Sequence, residues 1–311
     1  MPTAPRCRSD SAAVRLGPRT AAVLTVASVA GLVMFTWPLF VKTAPGSVAH
    51  SSDAPLAFIL VLPFLVAIVL ASFAEGGIDS KALAMLGVLS AVNAALRPLG
   101  AGVAGIETVF FLLVLAGRVF GPGFGFVLGC TSLFASGLLT AGVGPWLPFQ
   151  MVASAWIGLG AGLLPRGVRG RREIAMLAAY GVAAAYVFGM LMNLWSWPYT
   201  LGAGTGLSFV PGASTLSNLH RFLVFSVTTS ALGWDTGRAV TNSVAIVVLG
   251  PAVLATLRRA ARRASFGAVA TYAPDPTDAP DAPEAPDALD AAADGSAGFE
   301  PAPSSRAWQR P

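Results

Sequence analysis

The residues that could do chemistry in this chain stand mainly at the ends of long apolar runs. Arg97 closes one such run and Glu107 opens the next. An ionisable group at the centre of a membrane helix costs about 2.5–3.5 kcal/mol unless it pairs with another group or lines a cavity. Polar groups at these boundaries therefore indicate either ion pairs that lock helix ends or a pocket that binds a ligand. The candidate ligand-binding residues are Arg97, Glu107, Trp146, Gln150, Asn193, Trp195, Asp235 and Arg238.

The sequence lacks the motifs of the common enzyme classes. It has no GxxxxGK[ST] phosphate-binding loop, and His50 and His220 have neither an HExxH motif nor cysteine partners. The glycine-rich run GPGFGFVLG lacks GxGxxG spacing. Its Gly121, Gly125 and Gly129 are four residues apart, which predicts a helix face that a neighbouring helix approaches closely. We therefore expect no catalytic residues, no cofactor and no metal ion.

The apolar runs predict an all-α polytopic membrane protein. Of the 311 residues, 55% are hydrophobic and only 11% are charged, whereas about a quarter of the residues in a soluble domain are charged. A membrane-spanning helix needs about 20 apolar residues. Residues 222–232 are apolar but too few to span, so we expect them to form an interfacial or re-entrant piece before the last helix. The eight predicted spans are residues 21–41, 55–73, 82–96, 105–119, 124–142, 147–164, 174–197 and 234–257.

Arginine clusters predict how the chain is oriented in the cell membrane. Four arginines precede the first predicted span, four follow the sixth and four follow the eighth. Cytoplasmic loops of membrane proteins carry an excess of Lys and Arg. With eight spans, all three clusters and both termini fall in the cytoplasm. The candidate ligand-binding residues then lie toward the outer half of the membrane, beneath the Gly/Ser/Thr-rich loop 198–218.

The chain divides into four regions by composition. A basic cytoplasmic N-terminus covers residues 1–20, two transmembrane helices lie within 21–80, and the membrane core covers 81–265. Residues 266–311 are rich in Pro, Ala and Asp and contain few large apolar side chains, which predicts a disordered cytoplasmic tail. The net charge of +5 arises mostly from arginines beside the spans. We therefore expect the lipid bilayer, and no nucleic acid, as the partner of these basic residues.

A second pattern, on the third predicted span, could bind another protein. Gly87, Ala91 and Ala95 recur every four residues in the run ALAMLGVLSAVNAAL. Small residues at this spacing form a ridge on which a neighbouring helix can pack closely. The ridge either packs inside the protein or docks another membrane subunit.

Two stretches of the chain resemble the substrate-binding S components of energy-coupling factor (ECF) vitamin transporters. They are LGVLSAVNAALRPLGAGVAGIETVFFLLVLAGRVFGPGFGFVLGCTSLFASGLLTAGVGPWLPFQM and FLVFSVTTSALGWDTGRAVTN, within residues 80–260. The resemblance is to an actinobacterial group of unknown substrate. It implies a core of six helices with a ligand pocket on the outer side, to which this chain adds two N-terminal helices. The partners it implies are a transmembrane coupling protein and two ATPase subunits.

The resemblance also assigns roles to particular residues. The docking motif of the family maps onto Gly87, Ala91 and Ala95, with glycine in place of the first alanine. In the biotin-binding branch an Asp and a Lys three residues apart contact the ligand. Asp235 and Arg238 match that spacing, with arginine replacing lysine.

The leading interpretation is therefore a binding subunit, not an enzyme, that captures a vitamin or similar micronutrient outside the cell for ATP-driven uptake. The alternative is an integral membrane enzyme, such as a lipid-modifying transferase, with Glu107 or Asp235 as its base. No histidine, second acid or metal motif accompanies either residue in the sequence, which counts against this alternative. A structural scaffold is a third interpretation, but it would need none of these polar groups.

Overall fold

The computed structural model describes residues 17–39, 80–100, 106–201 and 205–264. Every element in these ranges is helical. The predicted second span, the N-terminal residues 1–16 and the predicted tail 266–311 lie outside the described residues. The helices are α1 (Pro18–Thr36), α2 (Ser80–Leu96), α3 (Val109–Phe120), α4 (Pro122–Leu139), α5 (Leu147–Leu163), α6 (Arg171–Thr200), α7 (Thr215–Ser226) and α8 (Thr236–Ala264), with short 3-10 turns at Trp37–Leu39 and Arg97–Leu99.

The described helices are those of a membrane-embedded protein. Four stretches are long and apolar enough to cross a bilayer: Pro18–Leu39, Pro122–Leu139, Arg171–Thr200 and Thr215–Arg263. The other apolar helices, α2, α3 and α5, are shorter than 18 residues. The prediction of an all-helical chain with membrane-spanning segments is confirmed for the described residues. The count of eight spans stays a prediction.

Residues 222–232 are helical and continuous with the last predicted span, because α7 continues through a nine-residue π-helical segment, Val227–Asp235, directly into α8. Their interfacial placement stays a prediction. The only helix-breaking residue type in this stretch is Gly233, which the wider π turns accommodate. At about 1.5 Å per residue, the 49 residues of Thr215–Arg263 are about 74 Å long, more than twice the thickness of the hydrocarbon core.

The short helix α3 lies at the centre of the bundle. All twelve of its residues are buried, and α4, α5 and α8 pack around it. A helix that is apolar on every side is stable only where other helices surround it. At about 1.5 Å per residue, α3 is about 18 Å long, so it ends inside the thickness of a bilayer. Both of its ends must therefore find hydrogen-bond partners within the protein.

Glycines bring the backbones of α3, α4 and α5 close together. A Cβ atom at Gly125 would overlap the carbonyl oxygen of Gly158, and a Cβ atom at Gly158 would overlap that of Gly125. Gly117 on α3 faces the same carbonyl of Gly158, and Gly129 faces the backbone of Ala155. The three helices thus cross at Gly158, where no side chain separates them.

One glycine of the predicted helix face has a different role. Gly121 joins α3 to α4 with φ of 107°, outside both helices. This backbone conformation strains any residue that carries a Cβ atom. Gly121 therefore makes the turn that reverses the chain, whereas Gly125 and Gly129 lie on the packing face.

Replacement of Gly158 by alanine should destabilise the bundle by about 1–3 kcal/mol, because the new methyl group forces α4 and α5 apart. Thermal unfolding of the purified protein in detergent measures the effect. Gly87→Ala is the matched control, since nothing lies within 4 Å of a Cβ atom at that exposed position of α2. Alanine favours helix over glycine, so Gly87→Ala should be neutral or slightly stabilising. Equal melting temperatures for the two variants would contradict the crossing at Gly158.

The orientation can be tested by cysteine labelling of intact cells in a Cys7→Ser background, because the remaining Cys130 is buried. Ser217 on α7 and Gly167 between α5 and α6 are both exposed. We expect Ser217→Cys to react with a membrane-impermeant maleimide from outside, and Gly167→Cys to react only after permeabilisation. Labelling of both positions from one side would contradict the predicted orientation.

Candidate ligand-binding site

One cluster of charges lies where α3 begins. The guanidinium of Arg238 on α8 donates from Nε to Glu107 Oε2 at 2.6 Å and from Nη1 to Asp235 Oδ1 at 2.8 Å. Its carbon Cζ lies 4.9 Å from the ring centroid of Phe188 and 5.7 Å from that of Phe110. Arg238 is therefore held by two carboxylates and two aromatic rings. We call Glu107, Asp235 and Arg238 the Arg238 cluster.

The π-helical segment positions Asp235 in this cluster. In a π helix residues five apart lie above each other, and Ser230 donates a hydrogen bond to Asp235 Oδ2 at 3.0 Å. The carboxylate lies against Gly189 on α6, where a Cβ atom would overlap it. Asp235 is 1% exposed. The insertion of π turns and the missing side chain at Gly189 together admit a carboxylate between α6 and α8.

Asn242, one turn beyond Arg238, ties the start of α3 to α8. Its Oδ1 accepts from the backbone N–H of Phe111 at 2.7 Å, and its Nδ2 donates to the carbonyl oxygens of Glu107 at 2.6 Å and Arg238 at 2.9 Å. The first N–H groups of a helix have no partner within the helix. Asn242 supplies one from another helix, and it is fully buried. Sequence analysis missed this residue, which lies inside the predicted last span.

A second polar cluster lies beside the first, among α2, α4, α5 and α6. Arg97, directly after α2, donates from Nη2 to Gln150 Oε1 at 2.8 Å. Next to Gln150, the ring of Phe149 stacks on Trp195 of α6, with centroids 4.2 Å apart and an angle of 11° between the planes. Gln150 therefore orients Arg97 and Phe149 orients Trp195. The structure brings these predicted site residues together.

Small polar side chains of α2 and α4 extend this second cluster. Asn93 Nδ2 donates to Ser132 Oγ at 2.9 Å, and both residues are fully buried. Ser136 lies one turn beyond Ser132 and is also fully buried. We call Asn93, Arg97, Ser132, Ser136, Gln150 and Trp195 the Arg97 cluster.

Several buried atoms of the Arg97 cluster have no hydrogen-bond partner among the described residues. They are Arg97 Nη1, Trp195 Nε1, Ser136 Oγ and Asn93 Oδ1. A buried polar atom without a partner costs about 1–3 kcal/mol, and more when the group is charged. Arg97 and Glu107 do not pair with each other. Glu107 pairs with Arg238 instead.

The two clusters are joined where α2 ends and α3 begins. Thr108, the residue after Glu107, donates from Oγ1 to the carbonyl oxygen of Leu96 at 3.2 Å, and Leu96 precedes Arg97. Arg97 therefore follows a segment that is bonded to the start of α3, where Glu107 holds Arg238. Of the predicted ligand-binding residues, Arg97, Glu107, Gln150, Trp195, Asp235 and Arg238 belong to this joined site.

Two predicted site residues are placed elsewhere. Trp146 is 43% exposed, and its indole N–H donates to the carbonyl oxygen of Gly142 at 3.2 Å. Trp146 thus lies in the loop before α5, as interfacial tryptophans commonly do, and its role in ligand binding stays a prediction. Asn193 donates from Nδ2 to Ser226 Oγ at 2.9 Å, which links α6 to α7 rather than to either cluster.

The far ends of the same helices carry a third set of charges, which sequence analysis missed. Arg118 Nε and Arg258 Nη2 both donate to Glu173 Oε1, at 2.7 and 2.6 Å. The remaining nitrogens of Arg118 donate to backbone carbonyl oxygens of the α5–α6 loop. Arg118 is 5% exposed and Glu173 is 2% exposed. A lone arginine inside the predicted fourth span was the available signal. We call Arg118, Glu173 and Arg258 the Glu173 cluster.

The small-residue ridge faces away from the bundle. Gly87, Ala91 and Ala95 are all exposed, as are Val88 and Val92 beside them. The opposite face of α2 carries Leu86, Leu89 and Asn93 into the interior. Among the described residues, nothing covers the ridge. Whether it docks a partner is a separate question from its exposure.

Comparison of the chain with protein-family models, with curated proteins and with solved structures gives no match. Among the described residues, no group of three or more His, Cys, Asp or Glu side chains could hold a metal ion. The contacts and charges of the site residues are therefore the basis for inferring its function.

The two ion clusters should differ in their importance for stability. Glu173→Gln removes the carboxylate that the buried Arg118 shares with the partly exposed Arg258, which should cost about 3–5 kcal/mol because Arg118 stays buried without an ion partner. Asp235→Asn should cost less, because Arg238 keeps Glu107 as its partner. Melting temperatures of both variants in detergent measure the difference. A larger loss for Asp235→Asn than for Glu173→Gln would show that the Arg238 cluster is the main structural lock.

Proposed function

We propose that this chain is the substrate-binding membrane subunit, or S component, of an ECF-type importer. It captures a vitamin or similar micronutrient on the outer side of the cell membrane. A transmembrane coupling protein and two ATPase subunits, which are separate chains, then drive uptake. The chain itself catalyses no reaction in this proposal.

The observation that carries the proposal is the set of buried polar groups without partners at one end of an apolar bundle. A fold that needed only stability would leave such groups paired, or would replace them with apolar ones. A binding subunit needs them free, because a polar ligand is selected by the hydrogen bonds that it completes. Arg97 and Trp195 provide donors of this kind. Predicted topology puts this end on the outer side, where a substrate would enter.

The exposed ridge on α2 supports the same function. An S component must contact its coupling protein within the membrane, where helices associate through close packing of small residues. Gly87, Ala91 and Ala95 present such a surface along one exposed face. The substrate-binding clusters and the ridge lie on opposite faces of α2, so one helix can bind a partner and a substrate together.

The arrangement of the acids argues against the transferase alternative. Glu107 and Asp235, its candidate bases, both accept hydrogen bonds from Arg238. Both carboxylates are thus engaged in ion pairs, and neither is free to abstract a proton from a substrate. No observation favours the enzyme over the binding subunit.

The proposal is tested by assembly with the partner subunits. The tagged chain is co-expressed with the coupling protein and ATPases of its own organism, and the complex is purified through the tag. We expect the unaltered chain to retain all three partners. Ala91→Leu and Ala95→Leu should each release them, because a bulky side chain prevents close backbone approach.

A matched control separates docking from folding. Ala179→Leu places the same side chain at an exposed position of α6, away from the ridge, and should assemble normally. Size-exclusion profiles in detergent check that every variant is folded. Failure of the unaltered chain to retain any partner would count against the S-component function. Normal assembly of both ridge variants would show instead that the ridge faces lipid.

A further inference from the structure

We propose that the Arg97 cluster is a carboxylate-binding subsite, so that the substrate of this chain is a small monocarboxylate. The inference rests on the proposed function and names the chemical class of its ligand. The inference starts from a difference in pairing between Arg97 and two other arginines of the bundle. Arg118 and Arg238 each form an ion pair with a carboxylate of the protein, whereas Arg97 forms none among the described residues. Arg97 therefore offers its charge to a ligand.

The geometry of Arg97 suits an anion that binds through two oxygens. Gln150 accepts a hydrogen bond from Nη2 at 2.8 Å, which holds the plane of the guanidinium. The other terminal nitrogen, Nη1, is buried and has no partner. A guanidinium presents its N–H groups as a planar fork that matches the two oxygens of a carboxylate. Gln150 thus holds Nη2 of Arg97, whereas Nη1 has no partner among the described residues.

Neutral groups complete the subsite around Arg97. Ser90 bonds to Thr131 and Asn93 to Ser132, so α2 packs against α4. Arg97 bonds to Gln150 near the start of α5, and Gly137 of α4 packs against Leu147 at that start, which places Arg97 and Ser136 at the same end of the bundle. Ser136 Oγ is buried without a partner, and so is the indole N–H of Trp195. Both can donate to an anion that Arg97 binds.

The charge balance favours a carboxylate over a phosphate. Arg97 carries one positive charge, and the other groups of its cluster are neutral. The adjoining Arg238 cluster contains two carboxylates and one arginine, a formal charge of −1. A phosphate monoester carries about −1.5 to −2 at neutral pH, so much of its charge would be uncompensated there. A carboxylate carries a single negative charge and matches Arg97.

One acceptor in the cluster adds a second requirement. Asn93 Oδ1 is buried without a hydrogen-bond partner, although its amide nitrogen is bonded to Ser132. An acceptor in this position selects a donor on the ligand. The substrate class is therefore a small molecule with one carboxylate and at least one N–H or O–H group nearby.

The test uses deproteinised yeast extract, a mixture rich in vitamins, as the source of ligand. Anion exchange at neutral pH separates it into an anionic fraction and a fraction of neutral and cationic molecules. Each fraction is added to the purified full-length protein in detergent, and the melting temperature is measured. We expect the anionic fraction alone to raise it, because a ligand that binds only the folded state stabilises that state. Carbodiimide coupling of the fraction to methylamine should abolish the effect, whereas phosphatase treatment should not.

The variants assign the effect to Arg97. A dilution series of the anionic fraction gives the amount that each variant needs for a given rise in melting temperature. Arg97→Gln should need about ten- to hundredfold more of the fraction than the unaltered protein, whereas Arg97→Lys should need an intermediate amount. Trp195→Phe keeps the ring stacked on Phe149 and removes only the N–H group, so it tests the subsite even if Arg97→Gln does not fold. We expect a several-fold weaker response. The control Arg172→Gln removes an exposed arginine beyond the Glu173 cluster and should respond as the unaltered protein does.

The outcomes separate this inference from the proposed function. Stabilisation by the neutral and cationic fraction alone would overturn the carboxylate subsite and leave the binding function in place. Loss of the effect on phosphatase treatment would replace the carboxylate by a phosphate and so overturn the inference. An equal response of Arg97→Gln and the unaltered protein would remove Arg97 from the site. If no fraction stabilises the protein, both the inference and the binding function are contradicted.

Discussion

The burial of α3 is the constraint on which the rest of this structure depends. Its twelve residues face other helices on every side, and at about 18 Å it ends well inside a bilayer. An unpaired backbone group in hydrocarbon costs several kcal/mol, so each end of α3 must be completed by other elements. Asn242 accepts from an N–H group at the beginning. At the other end, Arg118 binds carbonyl oxygens of the α5–α6 loop and the carboxylate of Glu173.

The charges at the two ends also suit the dipole of α3. Glu107 precedes the helix, where partial positive charge collects, and Arg118 lies in its last turn, where partial negative charge collects. Glu107 pairs with Arg238 of α8, whereas Arg118 pairs with Glu173 of α6, which also binds Arg258 of α8. The length of α3 therefore sets the separation of the two ion clusters. Close packing at Gly117 and Gly158 fixes α3 against α5 between them.

Much of this architecture could be predicted from the sequence, because apolar runs and glycine spacing report burial directly. Arg97, Glu107, Gln150 and Asp235, which stand at span ends in the sequence, all make polar contacts in the structure. Which groups pair could not be predicted. Glu107 and Arg238 are 131 residues apart, and only the packing of α3 on α8 decides that Glu107 meets Arg238 and not Arg97.

Other features left too weak a signal in the sequence. The π segment has no sequence signature of its own, since its residues are compatible with an ordinary helix, and it follows from the space beside Gly189 that Asp235 occupies. Asn242 and Arg118 each lie within an apolar run, where one polar residue does not alter the hydropathy of the span. The role of Trp146 stays open because tryptophan suits both a ligand pocket and a membrane interface. Side-chain type alone could not decide between them.

The same physical rule assigns different roles to the two polar clusters at the Glu107 end of α3. Along the contact of α3 with α8, every polar group discussed has a partner: Arg238 has two carboxylates, and Asn242 bonds on both sides of its amide. That contact is satisfied within the chain and holds the fold together. Across α2, α4 and α6, donors and an acceptor remain buried without partners among the described residues. A buried polar atom without a partner lowers the stability of the fold that contains it. The contact of α3 with α8 therefore stabilises the bundle, whereas the Arg97 cluster reduces that stability.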